Sequence, residues 1–200
     1  MIAEQLQSYL TPLTSEQQAQ AAELWAFAYN KYAEQPIADL CMTLQNCHGF
    51  DTNCLLYAGW LASRHVLRPK WQQWQAICDS SRYWQHTFVS PIRHLKRTIP
   101  AQTAGALSAI RADLAALELS CERRQLEVLV ATDALAVGLS TEVRGTDQNC
   151  IQNFALQNLL AYMTCAHTGA VPAAASLTAS SVQMQDYGLQ LARHLMKPAN

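Results

Sequence analysis

Apolar side chains in this chain recur every three or four positions and almost nowhere every second one, the spacing of helices rather than strands. Leu24, Trp25, Ala28, Tyr29 and Tyr32 make one stripe, behind a Thr14-Ser15-Glu16 start signal and ahead of Ala33. Pro36 restarts the chain at a first helical position. Ile37, Leu40, Cys41 and Leu44 then fall at i, i+3, i+4 and i+7, until Gly49 stops the helix. Asp51 or Thr52 caps a third helix, predicted from Asn53 to about His65. Its middle, CLLYAGWLA, is apolar on nearly every side, which marks the central and most buried helix.

Beyond Pro69, Trp71, Trp74, Ile77 and Cys78 share a face, and Trp84 and Phe88 follow. Ser90-Pro91 either opens a new helix or kinks a continuing one, and Pro100 closes the segment. The clearest periodicity is Leu107, Ile110, Leu114, Leu117, Cys121, Arg124, Val128, Ala131 and Leu135, a heptad-like seam with one charged interruption. A helix from about Thr103 to Val137, ended by Gly138, would be about 50 Å long. A polar, turn-rich connection over 139–149 leads to two more helices, Cys150 to about His167 and about Ser180 to Met196, joined by a small-residue linker. The pattern therefore predicts an all-α fold, an irregular bundle of seven or eight helices with one long heptad-bearing helix. A helical core would span 1–138, with a two-helix extension over 139–200 docked on it.

Composition supports helix: 31 Ala, 26 Leu and 19 Gln stand against 15 Ile plus Val. Fourteen basic and fifteen acidic side chains give a formal charge of −1, which argues against a nucleic-acid surface or a polybasic membrane patch. No apolar run approaches the roughly 18–20 residues that cross a bilayer. The first ten residues lack the layout of a secretory signal, so a cytoplasmic location is expected. Seven cysteines, odd in number and without a CxxC pair, read as reduced thiols, several on core stripes.

Candidate chemistry is sparse. GxSxG, GxxxxGK[ST] and GxGxxG are missing, and aspartates are scattered, so no catalytic residue is assigned. Cys41, Cys47, His48 and Cys54 are close in sequence, but C-x5-C-H-x5-C is not a zinc spacing; no metal and no cofactor are expected. Asp51, Asn53 and Tyr57 form either a capping-and-packing set or a polar cluster at a pocket mouth. Arg93, Lys96 and Arg97 lie a turn apart and suit either an anion or interhelical pairing with Glu118 and Glu122, the reading preferred here. Trp71 and Trp74 follow a loop amid Lys70, Gln72, Gln73 and Gln75, and serve equally as core or as a partner's anchor.

Four blocks carry a family resemblance: Leu24, Trp25, Phe27 and Tyr32; then Leu44, Gln45, Gly49, Asp51, Asn53, Leu55, Leu56, Tyr57, Trp60 and Leu61; then Pro91, Arg93, Leu95, Lys96 and Arg97; then Glu118, Leu119, Glu122 and Arg123. Over about residues 24–129 the chain resembles an uncharacterised, mostly gammaproteobacterial domain-of-unknown-function family of short cytoplasmic proteins. Ile92 and Lys96 depart from its usual Leu and Arg. The resemblance implies a helical cytoplasmic bacterial protein and brings no activity. Taken together, the expected function is a non-enzymatic protein–protein interaction module, with Trp71, Trp74, Leu107, Ile110, Leu114 and Leu117 at the contact and self-association possible. The alternative is a small-molecule binder or enzyme with an inter-helix pocket lined by Asp51, Asn53, Tyr57, Arg93 and Arg97.

Overall fold

The computed structural model describes residues 12–136, 141–142, 147–168 and 179–197. Gly138, most of the connection over 139–149 and the linker at 169–178 lie outside them, as does the side chain of Leu135. The described residues form α1 (Ser15–Tyr32), α2 (Gln35–His48), α3 (Thr52–Ser63), β1 (Val66–Leu67), α4 (Trp71–Trp84), a π-helical turn (Gln85–Val89), α5 (Ser90–Thr98), α6 (Ala106–Ala136), β2 (Thr141–Glu142), α7 (Gln148–Thr168) and α8 (Ala179–Leu195). The fold is all-α. Among the described residues the one strand pairing is a two-residue antiparallel contact in which Val66 faces Glu142 and Leu67 faces Thr141.

Local signals set the helix ends. Thr14 and Gln17 close a reciprocal capping box on α1. Gly49, at φ 72°, ends α2 by donating its N–H to the Gln45 carbonyl, and the Phe50 N–H follows to Leu44. Asp51 then caps α3, accepting the Asn53 N–H at 2.9 Å. α3 stops two residues before the predicted His65, because His65 adopts φ 60° and turns the chain into β1.

Every α3 residue from Cys54 to Ala62 is buried. The helix is hidden all round because α1, α6, α7 and α8 all pack on it, α7 most extensively. α7 and α8 contribute Phe154, Leu159, Tyr162, Leu191 and Leu195 to the same core as Leu24, Ile37 and Trp74. Close approach of α8 depends on Gly59, where a Cβ would sit 2.8 Å from Leu195 Cδ1. Replacing Gly59 with valine is expected to cost about 1–3 kcal/mol in urea denaturation, overpacking outweighing a gain of roughly 0.4 kcal/mol in helix propensity.

The π-helical turn has a cause in sequence. Proline at 91 has no N–H, and its ring would press on the Thr87 carbonyl in a regular helix. One wider turn relieves this: the Ser90 N–H donates to Gln85, five residues back, and α4 continues into α5 without a break. Of the two readings of Ser90-Pro91, the continuing helix with a local distortion is the one observed. Among the described residues α5 packs chiefly on α6 and the π turn, so α5 and the start of α6 form a hairpin at the edge of the core.

Candidate functional site: a groove between α1, α2, α5 and α6

A cavity of about 900 Å³ opens where the α2–α3 turn, α1, the α4–α5 rod and α6 converge. Its floor is a polar knot built on the α3 cap. The Asp51 carboxylate accepts the Asn53 N–H and also hydrogen bonds from the Ser81 hydroxyl and the Gln125 amide. Gln125 also donates to Ser81 at 3.1 Å, and its carbonyl accepts from Asn53 at 2.8 Å and Gln85 at 3.0 Å. The Asp51 N–H donates to the Tyr162 hydroxyl at 2.8 Å. Burial raises the Asp51 carboxyl above its ordinary range, against the pull of Ser81, Asn53, Gln125 and Gln85. Ser81 is buried and Asp51 is saturated with donors, so this pair holds helices together; it offers neither an accessible nucleophile nor a free base.

The far wall is ionic. Arg93 donates through Nε to Glu118 and through Nη2 to Glu122, both at 2.8 Å, while Lys96 pairs with the other Glu118 oxygen. Burial alone would raise Glu118, but hydrogen bonds from Lys96 and Arg93 outweigh it and hold the carboxyl below its usual range. Glu122 is lifted by burial, with Arg93 opposing. Arg111 closes the end of α5 by donating to the carbonyls of Lys96, at 2.7 Å, and Ile99, at 2.6 Å. Arg97 is exposed, lines the groove and has no ion-pair partner among the described residues. The near wall is aromatic: Trp25 and Tyr29 lie 6.1 Å apart, Arg123 sits 5.6 Å over Trp25, and Tyr29 and Tyr32 are 64% and 40% exposed.

Residues 23–129 match the model of a family described as Protein of unknown function (DUF2390). The chain belongs to this family. The matched stretch supplies every groove-lining residue except Tyr162 and Ala166, which α7 adds from outside it. No curated protein and no solved structure matches the chain. No helix among the described residues is long and apolar enough to cross a membrane.

Of the residues singled out in sequence, Asp51, Asn53, Arg93 and Arg97 line this one groove, although Asp51 is spent on capping and Arg93 on the two glutamates. Tyr57 does not join them. It is 1% exposed, packs on Trp60 and Trp74, and hydrogen-bonds Asp133. Trp74 is likewise no partner's anchor: it is fully buried and donates its indole N–H to the Arg68 carbonyl at 2.9 Å, while Trp71 lies half-buried against the core. Tyr29 and Tyr32, expected on the core stripe of α1, face the groove instead, since only Ala21, Leu24 and Ala28 of that helix are buried. Leu107, Ile110 and Leu117 are about half exposed and none lines the groove; Leu114 is partly covered.

Sequence reasoning missed a second polar centre. Arg68 makes a two-pronged pair with Asp133, at 3.2 and 3.1 Å, in a nearly dry setting, and the Arg68 N–H donates to Asn158 Oδ1 at 2.6 Å. Asn158 in turn donates to the Val66 carbonyl at 3.0 Å. Only the charge of Arg68 and Asp133 was visible in the sequence; their 65-residue separation hid the pairing.

Proposed function

We propose that this protein is a non-enzymatic interaction module of the bacterial cytoplasm that pairs with a second copy of itself through the α5–α6 hairpin. The observation that carries this reading is the outward placement of large apolar side chains on a hairpin at the edge of the core: Leu95, Leu107, Ile110 and Leu117 are 52%, 51%, 47% and 49% exposed. Their setting favours a like partner. Ala106, Ala109, Ala112, Ala115, Ala116 and Ser120 surround the seam on α6, so a second helix can approach closely. Between Ala106 and Leu117 the only charges are Arg111, which is turned onto α5, and Asp113. A nearly uncharged face meets its own copy without the repulsion that a singly charged one would bring. The cytoplasmic and bacterial setting rests on the family resemblance and on the reduced-thiol reading of the cysteines.

Sedimentation velocity across micromolar concentrations tests the proposal. The wild-type chain is expected to shift from monomer toward dimer as concentration rises. The Ile110→Glu/Leu117→Glu variant should stay monomeric with an unchanged thermal midpoint, because both side chains are already wet in the monomer. A concentration-independent wild-type monomer would overturn the reading.

A further inference from the structure

We infer that the groove is a binding site for a small monoanionic carboxylate with a flat apolar body, a role separate from hairpin pairing. The size fits, since about 900 Å³ lies within the range of small-molecule sites, roughly 300–1,000 Å³. The walls divide by chemistry. α1 presents Tyr29 and Tyr32, and α6 presents Leu119, 48% exposed, so large apolar surface is left wet inside a concavity. Exposure of that kind is relieved by a flat ring lying against the tyrosines.

Charge decides the other half of the ligand. Arg93 and Lys96 are matched by Glu118 and Glu122, and the groove's Arg82 is matched by Asp79. Arg97 remains as the uncompensated guanidinium among the described groove residues, one turn beyond Arg93 on the same face. Arg93 spends Nε and Nη2 on the glutamates, which leaves Nη1 as its remaining donor group beside the groove. Tyr32 lines the same groove as Arg93, Glu118 and Glu122, which places the aromatic wall beside the ionic one. A carboxylate at Arg97 pairs with the groove guanidinium that has no ion-pair partner among the described residues. A phosphate dianion would add a second negative charge beside Glu118 and Glu122, so the carboxylate is favoured.

Three probes on the intact chain test this: 2-naphthoate, the neutral 2-naphthamide and inorganic phosphate, followed by isothermal titration calorimetry and by thermal shift. 2-Naphthoate should give a saturable binding isotherm and raise the midpoint by about 4 °C at tenfold excess over its Kd. The amide and phosphate should bind at least about tenfold more weakly, and Arg97→Gln should weaken 2-naphthoate by a similar factor while Arg97→Lys keeps part of the affinity. Arg97 is exposed, so these variants fold. Equal binding of acid and amide, tighter binding of phosphate, an unchanged affinity in Arg97→Gln, or no saturable change with 2-naphthoate would each overturn the inference. The Ile110→Glu/Leu117→Glu variant should bind 2-naphthoate as the parent does, so loss of the dimer and loss of the site are separable results.

Discussion

Replacing Asp133 with alanine is expected to lower stability by about 3–5 kcal/mol, the largest single effect in the molecule. The substitution strands the Arg68 guanidinium, whose side chain is only 6% exposed, and takes a partner from the Tyr57 hydroxyl. Stranding, not the loss of pair energy, dominates. Arg68 Nη1 is already buried without an acceptor among the described residues, so the pair is incompletely satisfied and contributes little over an apolar substitute. The double variant Arg68→Met/Asp133→Leu should therefore recover most of the loss. Urea denaturation of Arg68→Met, Asp133→Leu and the double closes the cycle, and additive losses would contradict the mechanism.

Asp51→Ala should follow, at about 2–4 kcal/mol. The helix cap accounts for about 1 kcal/mol, and stranded donors on Ser81 and Gln125 for the remainder. Asp51→Asn keeps an oxygen for the Asn53 N–H but turns an amide toward one of the other donors, so a smaller loss is expected. The two variants also differ from the parent in pH dependence. Asp51 titrates higher in the folded chain than its unfolded value of about 3.9. Its linked stabilisation is thus present in full below that value and is lost as pH rises through the raised folded value. Glu118, held low by Lys96 and Arg93, runs the other way, its contribution fading as pH falls through its folded value. Subtracting the Asp51→Asn stability curve from that of the parent cancels Glu118 and should leave a difference that falls with rising pH. A flat difference would show that Asp51 is not desolvated in the folded chain.

Features set within one turn of helix were legible in sequence. Thr14, Pro36, Gly49 and Asp51 act on neighbours, so their capping roles follow from local chemistry, and the continuous apolarity of 54–62 leaves no face for water. The pairing of Arg93 and Lys96 with Glu118 and Glu122 was also readable, because two adjacent helices carried complementary charges at matched spacing. Periodicity failed where the question was what covers a stripe. Tyr29 and Tyr32 repeat in phase with Leu24, yet among the described residues they stay 64% and 40% exposed. Tyr57 looked available because its partner, Asp133, lies 76 residues on. The π turn carries no composition signal of its own; only Pro91, with its missing donor, hints at it.

The groove and the seam lie on different faces of the same hairpin: Leu119 and Glu122 of α6 line the groove, whereas Ile110 and Leu117 do not. Hydrogen exchange over residues 106–120, at low and high protein concentration, tests the self-pairing most directly. Slower exchange in that segment at high concentration, with the amides of 54–62 unchanged, is the expected result. Exchange over 106–120 that is indifferent to concentration would contradict it.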